Sequence, residues 1–513
     1  MIADRRTKTI RALNLLLLAW LACAAGQSPA QAPDLTGWWR ATIEHQGEQA
    51  AIYLHFDRAN DRNRVRMTIP MVRTYEAGIG TWQVDGDNLR LTNIGWTMHI
   101  DGDGRALTGT FPDAVLPGHF PAHFERAGPV PPPPELRGAG PAPAPLWQVS
   151  LGAEIWAGLA LDPRTLTLFA AGNDGKVTAL SAATGRTLWS ATLDAPIRAT
   201  PTLAGDRLYV ATGKSLVALD ARRGTILWQA GLGEELSPRL PLNDPNSNFD
   251  EYASAAVVEG GTVVVGSRDG CVYAFAAAGG APRWRTCVGR LITGTPAIAG
   301  GLVYFGAYDG RAYALSLATG AERWRYDTHL PIPRDAVVAG RNVLFGSRSY
   351  DLVALDRATG RPAWDRYFWF SWVDSPPVLD RGTLYVGSSD SLAVRALDPA
   401  TGRVVWQAPV PGWTWPRVAP GASTLYAAIV GTDVNFAPRA GGLAAFDKSD
   451  GTLLWLFRAE RAAGHNPYGF ASAPVVGGGR LFAADLEGRV YAFRDAPLRL
   501  QRRATAGIGR RMH

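Results

Sequence analysis

The feature that most constrains this chain is a tryptophan that keeps returning at one place in a repeated motif. The motif reads apolar-Ala-Leu-Asp-x-x-Thr-Gly-x-x-x-Trp, as in Ala396-Leu397-Asp398-Pro399-Ala400-Thr401-Gly402 ending at Trp406. The repeat tryptophans are Trp189, Trp228, Trp284, Trp324, Trp364, Trp406 and Trp455, separated by 39, 56, 40, 40, 42 and 49 residues. A period near 40 with several short strands per unit predicts a β-propeller or a similar array. After each Trp come segments such as Thr200-Pro201-Thr202-Leu203, then Arg207-Leu208-Tyr209-Val210, then the Ala-Leu-Asp strand, which makes four strands per unit. The ends set the count. The last unit, Gly488-Arg489-Val490-Tyr491-Ala492-Phe493, stops before its Trp strand, and a Trp strand without its own unit, Leu146-Trp147-Gln148-Val149, opens the region. Pairing these two ends completes an eighth blade and removes an open sheet edge. Within the motif Trp suits a wedge between sheets, and Asp with Thr-Gly makes a hairpin turn, so these residues are structural.

The repeat leaves much of the 513-residue chain unexplained. At 47% hydrophobic and 19% charged residues the chain is globular, and its length exceeds the roughly 250–300 residues of one core. From 35 to 127, alternating segments such as Ala51-Ile52-Tyr53-Leu54-His55-Phe56 are divided by turns like Asp85-Gly86-Asp87, predicting a small antiparallel β-sheet or barrel. Residues 128–145 hold eight prolines and predict a stiff polyproline spacer. The propeller then occupies 146–495, and a basic disordered tail occupies 496–513. The whole is predicted to be all-β. At the start, a basic stretch, an apolar run from Ala12 to Ala25 and small residues read as a secretory signal over 1–26. Cys23, preceded by Trp20-Leu21-Ala22, resembles a bacterial lipoprotein box, so lipidation there is the one membrane attachment this reading allows. The expected location is periplasmic or secreted.

Charge and cysteines narrow the partners. The net charge of +7 sits in the termini, leaving the body between residues 24 and 496 at −1, which argues against a nucleic-acid surface. Five of the eight histidines fall in the N-terminal module without metal-ligand spacing. Beyond Cys23 only Cys271 and Cys287 remain, flanking a hairpin centred on Gly279-Gly280; they read as a cross-strand disulfide or as two separate buried thiols.

The repeat from Leu146 to Asp495 resembles the pyrroloquinoline-quinone-type propeller family. That resemblance implies the fold and two kinds of function. The superfamily includes quinoprotein alcohol dehydrogenases, which bind the quinone (PQQ) with Ca²⁺, and the lipoprotein propeller of the bacterial outer-membrane assembly machine, which binds protein partners and no quinone. Here no two cysteines are adjacent, unlike the pair that commonly covers the quinone, and no Cys-x-x-Cys-His attaches a haem.

The connections from each Trp strand to the next innermost strand do not repeat, and a ring scaffold acquires function where repetition is lost. Two of them, Phe368-Trp369-Phe370-Ser371-Trp372-Val373-Asp374 and Trp413-Thr414-Trp415-Pro416-Arg417, hold most of the remaining propeller tryptophans. Arg198, Arg334, Trp372, Trp415 and Arg417 are the residues expected to hold a planar anionic cofactor, and Asp374 is the expected general base of a dehydrogenase. The same aromatic and Arg composition equally suits a protein-binding patch. In the longest insertion, Asp244, Asp250 and Glu251 read as an irregular Ca²⁺ site or as an Asx-rich turn, the EF-hand being excluded by Phe249 and Ala255. The reading preferred from sequence is a non-catalytic scaffold for a protein, peptide or envelope component at this Trp-rich mouth. The alternative is a PQQ- and Ca²⁺-dependent dehydrogenase of alcohols or sugars.

Overall fold

The computed structural model describes residues 33–59, 62–102, 104–112, 116, 120–132, 136, 140–240, 247, 249, 251–433, 439–461 and 466–495. Residues 1–26, read above as a secretory signal and including Cys23, and the basic stretch 496–513 lie outside the described residues. The chain divides into two compact units. Apart from one short 3₁₀ turn at Pro70–Val72, the described regular structure is entirely β, and among the described residues no helix is long and apolar enough to cross a membrane.

The first unit is a closed eight-stranded barrel, each strand pairing with the next and the first, Gly37–His45, closing on the last, Pro121–Ala127. Alternation drives it. Trp39, Ala41 and Ile43 point inward while Arg40, Thr42 and Glu44 face solvent. The interior is filled with rings, Trp96 lying 4.9 Å from Phe111 and 5.8 Å from Phe124. The sheet-or-barrel expectation resolves to a barrel because closure leaves no edge strand exposed.

The second unit is the eight-bladed propeller. Seven blades are continuous in sequence, from blade I at Ala160–Thr192 to blade VII, whose four strands are joined by a fifth, Tyr468–Gly469. Blade VIII is composite: Val475–Gly477, Arg480–Ala484 and Arg489–Arg494 are completed by Trp147–Ser150, with Ala492 opposite Trp147. The ring is therefore closed by its two ends. Part of the proline-rich stretch packs on this ring instead of spanning free space, Gly140 bridging to Trp455 and Ala142 packing in the core of blades VII and VIII.

The register explains the motif. In every blade the repeat Trp faces an Ala across the outer strand pair, as Trp364 faces Ala354 and Trp406 faces Ala396. A small residue there leaves room for the indole, and the pairing shifts by one position immediately after it. Each indole then reaches the next blade. Trp364 Nε1 donates to the Pro399 carbonyl at 3.1 Å, and Trp324 Nε1 to Arg357 at 2.9 Å. The ring lies against the Gly of the next blade's hairpin turn: Gly402 has φ +70°, and a Cβ there would stand 2.6 Å from Trp364. Gly is thus required both for its backbone and for its lack of a side chain. The motif Asp holds the turn, Asp356 Oδ1 accepting the N–H groups of Ala358 and Thr359.

Candidate functional site

The connections between blades converge on a cavity of about 590 Å³ in the central channel. Its wall comes from the start of the innermost strand in each blade, including Gly158, Thr200, Ala255, Thr295, Arg334, Pro376, Trp415 and Pro474. This wall is stitched from blade to blade. Thr200 Oγ1 accepts Gly158 N–H at 3.0 Å, Thr202 Oγ1 donates to Ala256 O at 2.8 Å, and Asp335 Oδ1 accepts Thr295 N–H at 2.8 Å. Side chains at this radius therefore sit on a stiff frame.

Four of the expected residues line the cavity: Arg198, Arg334, Trp415 and Arg417. Two do not. Asp374 is 0% exposed and outside the lining; its Oδ2 accepts Arg348 Nη2 at 3.4 Å. Trp372 lies under the same guanidinium, 4.4 Å from its centre. Phe249 from the long insertion packs edge-on against Trp372 at 5.8 Å, and its carbonyl accepts a further Arg348 N–H at 3.3 Å. The insertion thus reaches into the channel and covers this layer.

The charges nearer the cavity are mostly paired. Arg198 bonds Glu251, and Arg417 Nη2 donates to Asp335 Oδ2 at 2.8 Å. Arg334 is different. Only 5% exposed, it lies 3.8 Å above the Tyr252 ring, and its Nε and Nη2 have no hydrogen-bond partner among the described residues. Burial pushes the Tyr252 hydroxyl well above the ordinary tyrosine range, so it stays protonated and donates to Ala471 O at 2.8 Å.

The tryptophans are floor, not surface. Trp413 and Trp415 are each 2% exposed, stacked with centroids 4.4 Å apart, and bonded through Nε1 to Asp390 at 3.1 Å and Ser389 at 3.2 Å. Trp369 is buried too. The expectation of an open Trp-rich mouth is corrected: these rings bury because each connection must cover a blade end. What the rim does expose is Leu236 at 54% and Leu330 at 37%.

Of the expected Ca²⁺ ligands, Asp244 and Asp250 lie outside the described residues, and Glu251 is engaged by Arg198. Among the described residues no three His, Cys, Asp or Glu side chains converge as metal donors. Of the described carboxylates in this region, Glu251, Asp335 and Asp374 are each held by a guanidinium. Cys271 and Cys287 stand opposite each other in blade III and are joined by a disulfide. Sequence reasoning missed Arg348 and the platform role of Tyr252. Arg348 sits in Gly346-Ser347-Arg348-Ser349, and blade III has the same Gly266-Ser267-Arg268 where blade IV has Gly306-Ala307-Tyr308, so nothing local set Arg348 apart.

Comparison with known proteins adds a family. The family model described as outer membrane protein assembly factor BamB matches residues 141–247, 214–366 and 330–509. BamB from Moraxella catarrhalis is similar at 20% identity and TM-score 0.47, covering 68% of this chain and 88% of that one. A quinohemoprotein alcohol dehydrogenase from Pseudomonas putida is similar at 13% identity and TM-score 0.52, covering 69% and 76%. The serine/threonine-protein kinase AfsK of Streptomyces griseus is 30% identical over 159 residues, 27% of this chain and 18% of the kinase, so the chain spans less than a fifth of that relative.

Proposed function

The chain belongs to the family of the outer membrane protein assembly factor BamB, and on that premise we propose that its propeller is a non-catalytic scaffold for a protein or peptide partner in the cell envelope. The observation that carries this reading is the placement of Asp374. A general base must reach the proton it abstracts, and Asp374 is fully buried, held by Arg348 and off the cavity wall. The two other carboxylates of this region, Glu251 and Asp335, are taken by Arg198 and Arg417. Such a layer holds loops in place instead of moving protons. The family's namesake is an assembly factor, which agrees with a holding role.

Docking takes place on the rim above this layer, where Leu236 and Leu330 stand exposed among Arg290 and His329. An apolar residue ringed by charge on a rigid support is the ordinary make-up of an interface anchor. Export through the segment 1–26, with Cys23 as a lipid attachment, would bring the ring to that compartment.

The test is site-specific photo-crosslinking in the envelope of producing cells. A crosslinker at 236 or 330 is expected to trap one discrete partner, and a crosslinker at Thr359 on the opposite turn face is not. Purified protein given pyrroloquinoline quinone and Ca²⁺ supplies the contrary outcome. Dye reduction with alcohols or sugars that disappears in Asp374→Asn would replace the scaffold with a dehydrogenase.

A further inference from the structure

We propose that the central cavity is a binding site for an organic monocarboxylate, anchored by Arg334. The inference goes beyond the partner-binding reading and does not rest on it.

Among the described residues, charge pairing around the cavity leaves one positive group over. Arg198 has Glu251, Arg417 has Asp335 and Arg348 has Asp374, while Arg334 has no carboxylate. A guanidinium 5% exposed with two nitrogens unbonded is strongly unfavourable unless an anion completes it. Nε and Nη2 are the edge with which arginine grips a carboxylate side-on. The same protein uses that edge elsewhere: Arg64 holds Asp57 through Nε at 2.9 Å and Nη2 at 3.0 Å. Both Arg334 nitrogens are covered, so uptake of the anion requires the guanidinium to turn on the Tyr252 ring toward the cavity it lines.

The walls define the rest of the ligand. One surplus charge matches one carboxylate, whereas a dianionic phosphate would leave a negative charge unpaired. Ala253, Ala256, Ala297, Val257 and Val337 offer an apolar surface, which rewards burial of an organic remainder at roughly 25 cal/mol per Å². About 590 Å³ falls within the range of small-molecule sites, roughly 300–1,000 Å³. A free small acid and the C-terminal carboxylate of a peptide share this chemistry, and the experiment separates them.

Full-length purified protein is titrated by calorimetry, and by the fluorescence of wall residue Trp415, with two acid–amide pairs. The first pair is hippurate and hippuramide. The second is acetyl-Ala-Ala-Phe with a free and with an amidated end. At least one acid is expected to bind saturably and about tenfold or more tighter than its amide. That preference is expected to vanish in Arg334→Gln and to persist in part in Arg334→Lys. Preference in the first pair assigns a small acid, and preference in the second alone assigns a chain end. Equal binding of acids and amides to the unaltered protein overturns the proposal whatever the variants do. So does an acid preference that survives in Arg334→Gln, or displacement of the acids by equimolar sulfate.

Discussion

The two faces of the ring obey different rules. On the turn face one solution repeats at every junction but that of blade VII with the composite blade VIII, an indole of one blade lying on the turn glycine of the next, as Trp364 lies on Gly402 and Trp406 on Gly451. On the connection face the backbone course recurs in places, Ile292 and Ile332 bonding back to Ser267 and Ala307 in the same way, but the side chains carried there diverge. Blade II sends an insertion across the channel, blade V contributes Arg334 and Arg348, and blade VI contributes Trp413 and Trp415. Closure therefore rests on the repeating face, which frees the other to hold groups that no stability argument requires, such as the uncompensated Arg334.

That contrast can be broken or sharpened by measurement. Trp364→Ala is expected to cost the most, about 3–5 kcal/mol in denaturant unfolding, because it empties a wedge between two blades. A loss under about 1 kcal/mol would mean that the repeat does not carry closure. Joint replacement of Cys271 and Cys287 by Ala comes next, at about 3 kcal/mol for a closed loop of this length; reductant should lower the melting temperature of the native protein and leave the variant unchanged. Asp351 supplies a smaller, pH-dependent effect on the connection side of blade V. Burial, assisted by the neighbouring charge of Asp365, pushes its carboxyl up to about 7. The folded state thus holds a proton that the unfolded chain releases near pH 4, so this group's contribution to stability is full below about pH 4 and is lost as pH rises to about 7. Asp351→Asn should raise the melting temperature at pH 8 and leave it nearly unchanged at pH 4. Leu236→Asp and Leu330→Asp on the rim should change stability least, by under about 0.5 kcal/mol, while abolishing the crosslinked partner.

The architecture was legible because it is periodic. Trp spacing gave the blades, and the unpaired ends at Trp147 and Phe493 gave the composite eighth. Period-two alternation gave the strands of the N-terminal module but not their closure, since closure depends on the pairing of Trp38 with Ala127, far apart in sequence. The site was legible only by position. Of the residues named from the non-repeating connections, Arg198, Arg334, Trp415 and Arg417 meet at one cavity. Nothing local distinguishes a buried Asp374 from an exposed one, or predicts that Trp413 and Trp415 stack inward, because burial in a non-repeating connection is decided by what crosses above it. Here that is Phe249 and Tyr252, delivered by the 56-residue spacing that the sequence marked as exceptional.

The composite blade imposes an order of events on biogenesis. Trp147 emerges from the ribosome long before its hydrogen-bonding neighbour Ala492. Until that neighbour arrives, the first-made strand has no home and the nascent ring stays a gapped crescent with adhesive margins, exposed to proteases and to chance pairing with other chains. Folding of this ring should therefore be unusually sensitive to anything that stalls or trims the segment around Ala492, while the N-terminal barrel, whose strands all precede Trp147, can mature undisturbed.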